Sequence, residues 1–261
     1  MPPPPHLGVS LNLLVLEDRK TQVNDSGEVD ATHLRIAQIV QDLYGRPDTD
    51  SDTVIAELAE HAAVEIPGAE YAGVTVTRNA KQIDTPATTH KWPLLLDEIQ
   101  QRHGQGPCLT AAWEEKIIHV ADLTTDERFP LYARDALTET PIRSVMAFQM
   151  WIAGEQMGAL NVYAETAHAF GPQTREVGLV FAAHSSVAWN AARRDEQFKK
   201  ALTSRDVIGQ AKGMLMERFG IDAVHAFDLL KRLSQDSNTP LHEVAERLTS
   251  SGRHSAGESS R

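Results

Sequence analysis

Cysteine is nearly missing from this chain. Among 261 residues there is one, Cys108, which excludes an internal disulfide framework and fits a reducing compartment. Long apolar runs are missing too, and none approaches the roughly 20 residues that a membrane helix needs. No basic segment precedes an apolar core near the N-terminus, and Leu11 to Leu16 is too short for a secretory signal. The expectation is a soluble, cytoplasmic protein with no membrane partner.

Signatures of chemistry are equally scarce. Gly104-Gln-Gly106 runs into Pro107-Cys108 and lacks the Lys-Ser/Thr of a phosphate loop. No Ser/His/Asp set and no cyclase-type motif is present. The chain has 11 histidines, yet His90, His103, His119, His168 and His184 lack the short paired spacing of a zinc site, and no cysteine pair supports them. The sequence therefore assigns no catalytic residue and no metal, and it identifies no cofactor.

Positive charge is also in deficit, at a net −11. Its distribution is uneven. From Arg193 to Arg232 there are nine basic and six acidic residues, so this window is +3 and the remainder −14. A basic window in an acidic chain points towards phosphate contact, although a mixed, solvated helix face gives the same count.

What is present begins with hydrophobic periodicity. Hydrophobic residues make up 41% of the chain, enough for ordinary cores in one or two domains. Residues 1–30 are proline-rich and polar and read as a flexible tail, in which Leu11 to Leu16 is either an extra edge strand or translation from an upstream start. Helical spacing appears over His33 to Tyr44, Thr53 to Val64, Leu94 to Gln101 and Arg128 to Leu137. Strand patterns run over Tyr71 to Thr77 and Ile117 to Val120. Ser144 to Ile152 and Ala159 to Tyr163, joined through Gly154 and Gly158, read as a β-hairpin. Strands with interspersed helices give an α+β or mixed α/β domain.

From Gln173 to Gly209 no proline interrupts an apolar stripe through Val177, Val180, Phe181, Val187, Ala188 and Ala191 that resumes at Phe198, Leu202 and Ile208. A helix over 173–219 would measure about 70 Å. Such a helix needs a partner, and a parallel dimeric coiled coil supplies one. Arg193, Arg194 and Asp195 interrupt the heptad, so a kinked pair of shorter helices is the alternative.

Two further patterns carry resemblances. Arg205-Asp-Val-Ile-Gly-Gln-Ala-Lys-Gly-Met-Leu-Met-Glu-Arg-Phe-Gly220, then Ala226-Phe227, Leu229-Leu230, Ser234 and Val244 to Leu248, together resemble an ANTAR domain over about residues 201–250. Upstream, Gly104 to Cys108, His119 to Leu123, Asp126 to Pro130, Gly158 to Tyr163 and Ala169-Phe170 resemble a GAF domain. The resemblances imply an α+β fold: an antiparallel sheet domain with flanking helices, a long coiled-coil-like helix and an all-α three-helix domain. They imply a tail over 1–30, a GAF-like sensor over 31–172, a connecting helix over 173–200, an ANTAR-like RNA-binding domain over 201–250 and a disordered tail over 251–261. The implied protein is a dimeric antitermination regulator, not an enzyme, that binds paired RNA stem-loops under control of a small-molecule, redox or partner signal.

The residues expected to meet RNA are Arg205, Gln210, Lys212, Arg218, Lys231, Arg232 and Ser234, cations for phosphates and polar groups for base edges. Asp222 is the expected N-cap of the second helix of that domain, and Thr239-Pro240 with Glu243 opens the third. Ala226, Phe227, Leu230, Leu233, Leu241, Val244, Ala245 and Leu248 form its expected core, with base stacking as the alternative for Phe227. In the sensor, Val74, Val76, Trp92, Cys108, Trp113, Phe148, Met150 and Tyr163 are candidates for a ligand pocket and equally ordinary core members. Cys108 reads first as a buried apolar residue. Asp122, Asp126 and Glu127 read as helix caps before pocket carboxylates.

Two rivals remain. Residues 222–234 and 240–250 superficially form a DNA-binding helix-turn-helix, but Glu243 and Glu246 would face phosphates with only Arg247 opposing them. A GAF-type methionine sulfoxide reductase would need a disulfide partner that this chain lacks.

Overall fold

A computed structural model describes residues 31–43, 46, 49–79, 82–114, 116–152 and 157–256. The expected N-terminal tail and its Leu11 to Leu16 segment lie outside the described residues. The chain divides into two compact units with the boundary between Arg193 and Arg194.

The first unit is built on a five-stranded antiparallel sheet. Helices α1 (31–43) and α2 (Ser51–Glu65) precede strands β1 (Tyr71–Asn79) and β2 (Gln82–Thr88). Then come α3 (Lys91–His103), α4 (Pro107–Trp113), β3 (Ile117–Val120), α5 (Pro130–Glu139), β4 (Ser144–Trp151), β5 (Met157–Ala164) and the long α6 (Pro172–Phe219). Strand order is β2-β1-β5-β4-β3. The expected hairpin is present as β4 and β5, paired from Ser144↔Ala164 to Trp151↔Met157.

Both faces of this sheet are covered, and alternation along the strands sorts the side chains. Ala72, Val74, Val76, Met146, Phe148, Met150, Leu160 and Val162 face α1, α2 and the start of α6 in one core. Val145, Ala147, Ala159 and Tyr163 face α3, α4 and α5 in the other. Contact on the first face is close. A Cβ at Gly178 of α6 would lie 2.1 Å from the Phe148 ring, so only glycine lets the helix approach.

Two elements escape the periodicity. Strand β2 reads Gln-Ile-Asp-Thr-Pro-Ala-Thr, polar and carrying Pro86, a composition tolerated at a sheet edge where one side needs no ladder donor. Register shifts on β1 opposite it mark the same irregularity. Helix α4 begins at Pro107 directly after the Gly104-Gln-Gly106 turn and is only seven residues long, too short for a periodic signal.

Helix α6 is a continuous helical element of 48 residues. Gly220, at φ +61°, ends it in the left-handed conformation that favours glycine. Helices α7 (Ala223–Asp236) and α8 (Leu241–Ala256) follow. Helix α8 continues past residue 250, where a tail was expected, and 257–261 lie outside the described residues. Ala211, Leu215, Ala226, Leu230, Val244 and Ala245 form the buried core of this second unit. Among the described residues no helix is long and apolar enough to cross a membrane.

Candidate functional site

In the helical unit, Asp222 caps α7 by accepting from the backbone N–H groups of Val224 and His225, both at 2.9 Å. The turn into α8 is closed by Ser234. Its hydroxyl donates to the Thr239 carbonyl at 2.6 Å, and the Thr239 N–H donates back to the Ser234 carbonyl at 3.1 Å. Ser234 is half-buried and shapes the turn rather than facing outward.

The cations distribute around the core. Arg205 and Lys212 are seven residues apart, hence on one line of α6, beside the Ile208, Ala211 and Leu215 side of the helix. Gln210 is exposed about 140° round the axis from Arg205, and Arg218 lies off that line as well. On α7, Arg232 is exposed, while Lys231 bonds Asp228 at 2.7 Å and sits 5.1 Å from the centroid of the Phe227 ring. Among the described residues Arg205, Lys212 and Arg218 form no ion pair, which leaves their charge available to an external anion, while Arg232 shares the Asp228 carboxylate's field with Lys231.

Phe227 departs from its expected place in the core. It lies about 100° round α7 from the buried Ala226 and is 37% exposed. Leu233, also expected in the core, lies in the last turn of α7 and is 39% exposed.

The sheet unit holds a different kind of site, a buried polar chamber on the α3, α4 and α5 side. Asp97 of α3 accepts from Thr75 at 2.7 Å, Thr85 at 2.9 Å and the Gln100 amide at 2.9 Å. Gln100 in turn accepts from the Cys108 backbone N–H at 2.9 Å, tying α3 to the start of α4. Asn161 of β5 donates to the Thr75 hydroxyl at 2.8 Å, and the Cys108 thiol lies 3.5 Å from the Tyr163 hydroxyl. Two atoms at this depth, Tyr132 Oη and Asn161 Oδ1, meet no hydrogen-bond partner among the described residues.

Burial governs the protonation here. It pushes the Asp97 carboxyl up to about 6, against hydrogen bonds from Thr75 and Thr85 that pull the other way. Burial, reinforced by the Asp97 charge, also raises the Cys108 thiol far above its ordinary range, so the thiolate is suppressed. Outside the chamber, a cleft of about 470 Å³ between β2 and α3 is lined by Asp84, Leu94 and Glu98 and reaches Thr85 and Asp97. Arg102 at its rim bonds Glu139 at 2.8 Å and Asp135 at 3.2 Å.

Comparison with known families decides the assignment. The GAF domain model matches residues 48–190, more than half the chain, and the ANTAR domain model matches residues 196–248. This is a GAF and ANTAR domain protein. ANTAR is an RNA-binding antitermination output domain and GAF a sensor domain, a pairing typical of regulators rather than enzymes. No curated protein sequence matches the chain. Among solved structures, the GAF domain of a phosphoenolpyruvate-protein phosphotransferase from Coxiella burnetii is 18% identical, covering 64% of this chain and 98% of that one at a TM-score of 0.49. Free methionine-R-sulfoxide reductase from Neisseria meningitidis is 14% identical, covering 64% and 93% at a TM-score of 0.48. Nothing about ligand or activity follows from likenesses this distant.

The pocket candidates in the GAF domain do not gather. Val74, Val76, Phe148 and Met150 are buried in the core against α2 and α6, on the opposite face of the sheet from Cys108 and Tyr163 in the chamber. Trp92 packs at the edge of the chamber side, with Lys91 4.3 Å over its ring, and Trp113 is exposed. Asp122 accepts from the Thr124 N–H at 2.9 Å, and Asp126 accepts from that of Arg128 at 2.9 Å. Periodicity does not reveal the polar members of the chamber, among them Thr75, Asp97, Gln100 and Asn161. Their signal is a polar residue at an inward position of a strand or helix.

Proposed function

We propose that this chain is a transcription antitermination regulator in which a signal at the GAF domain controls a dimeric ANTAR output that holds paired RNA stem-loops. The observation that carries the reading is the line of unpaired cations on α6, Arg205 and Lys212, beside the small core within the ANTAR match. Such residues neutralise RNA phosphates and release their condensed counterions to solvent, and unpaired loop bases meet the polar groups around them. Arg218, Lys231 and Arg232 extend the cationic surface, Gln210 offers a base-edge contact, and Ser234 sets the turn that orients α8.

Pairing of two chains is supported by Phe198 and Leu202 of α6, four residues apart and 65% and 46% exposed. A second copy of the helix covers such a stripe. A small polar molecule that satisfies Tyr132 Oη and Asn161 Oδ1 is the signal that suits the chamber, with the β2–α3 cleft as its approach. It acts only in so far as it binds one dimer state better than the other. RNA gripped by the activated dimer cannot form a terminator, and polymerase continues.

The test is Lys212→Ala against a paired stem-loop RNA at several salt concentrations, with duplex DNA as competitor. Weaker binding is expected, with the salt slope reduced by about one. Unchanged affinity at every salt concentration removes Lys212 from the interface, and preference for duplex DNA overturns the RNA reading.

A further inference from the structure

Phe227 is an aromatic ring held at the surface by its neighbours. The ANTAR core closes without it, since Ala226 and Leu230 supply the inward face of α7 and both are fully buried. The ring is 37% exposed, and Val224, one turn earlier on the same side, is 68% exposed. On the other side, one turn later, the Lys231 ammonium lies 5.1 Å from the ring centroid and is anchored by Asp228 at 2.7 Å. Arg232 follows, exposed. An aromatic left partly in water beside two cations has an obvious chemical complement, a flat π-system attached to phosphates.

Resting on the RNA reading above, we propose that Phe227 is a stacking platform for one unpaired base in the RNA loop, with Lys231 and Arg232 meeting the flanking phosphates. A base has a π-face whatever its identity, so the platform contributes affinity with little sequence preference. The cations do the opposite work: they fix the backbone beside the ring and make binding salt-dependent. Beside the ring, Lys231 and Arg232 outweigh Asp228 by one positive charge, which suits a phosphate-bearing occupant.

The experiment compares the full chain with Phe227→Leu, Phe227→Ala and Phe227→Trp, each checked for native helix content by circular dichroism and for mass in solution. Binding is measured to a stem-loop RNA and to the same RNA carrying abasic sites in its loop. Leu and Ala are expected to weaken binding to the intact loop about 10-fold or more, and Trp to retain it. The salt slope stays as in the unmodified chain, because no phosphate contact is lost. The abasic loop is expected to weaken the unmodified chain by a similar factor and the Leu variant by much less, the coupling expected of two groups in contact. Full-strength binding by Phe227→Leu, with the unmodified chain still binding, overturns the platform alone. So does loss of the dimer by that variant with affinity per chain unchanged, which makes the ring a chain-to-chain contact. No binding of any stem-loop by the unmodified chain overturns both the platform and the RNA reading.

Discussion

The two halves of this protein are built on cores of very different depth. In the GAF domain the sheet is covered on both faces, and Tyr132, Tyr163, Phe148, Phe181 and Leu58 are each essentially inaccessible to water. Among the described residues the ANTAR unit buries six core side chains, three of them alanines, with partly buried neighbours such as Ile208 and Leu241 packed against them. Small units of this kind have little surplus, since below about 70–80 residues a single core rarely supplies more than about 3–5 kcal/mol. Equal damage should therefore have unequal results. Leu58→Ala and Leu230→Ala each remove a fully buried leucine side chain, a loss of about 2–5 kcal/mol in either place. The GAF domain is expected to stay folded with a lower melting temperature. The ANTAR unit is expected to unfold, with loss of amide protection in α7 and α8 and of RNA binding. Native-like hydrogen exchange through α7 in Leu230→Ala breaks the comparison.

The halves also differ in where they keep their polar groups. The ANTAR cations face water, whereas the GAF chamber buries a carboxyl among hydroxyls and amides. An unfolded Asp97 loses its proton near 3.8, and the folded chain retains it up to about 6. Between these values the folded state binds more protons, so its stability falls as pH rises through the window and is flat above it. The loss is of the order of 3 kcal/mol. Asp135, which its Arg134 and His103 partners pull well below the ordinary carboxylate range, acts at lower pH and with the opposite sign. Asp97→Asn has no proton to lose. Subtracting its urea stability from that of the unmodified chain, between pH 4 and pH 7.5, should isolate a difference that shifts against the unmodified chain as pH rises. A pH-independent difference removes Asp97 as a buried acid.

The same contrast explains what could be read in advance. Periodicity exposed β1, β4, β5 and the helices with one apolar face, because burial of a stripe is written into spacing. Asp222 was legible as a cap because Gly220 stops α6 two residues earlier. Strand β2 was not legible, since an edge strand with Pro86 needs neither alternation nor a full ladder. The chamber was hidden for another reason. Thr75, Asp97, Gln100 and Asn161 are ordinary singly, and they meet because β1 pairs with β5 and α3 packs across β1 and β2. That register places Gly73 opposite Asn161, with Thr75 on the same face, and no local window contains it. Phe227 was misread for the complementary reason: an apolar residue beside an apolar stripe looks internal until the axial rotation of the helix is known.

The mildest expected effect tests the comparison most sharply, because the chemistry is matched. Asp50 caps α2 in the GAF domain by accepting from the Thr53 N–H at 2.7 Å, and Asp222 caps α7 with two bonds at 2.9 Å. Each satisfies donors that the first turn of a helix leaves without partners. Both carboxylates are exposed, and both are held below the ordinary range by these backbone bonds before anything else. Replacing either with alanine removes the same kind of interaction. The large core around α2 should absorb Asp50→Ala with a small shift in melting. Asp222→Ala falls on the unit with less surplus, at the helix that carries Phe227, Lys231 and Arg232, and should speed exchange of the α7 amides and weaken RNA binding. Equal exchange rates in α7 with and without the Asp222 carboxylate would mean that the ANTAR unit is held by more than its six buried side chains, and dimerisation through α6 is the interaction that would have to supply the rest.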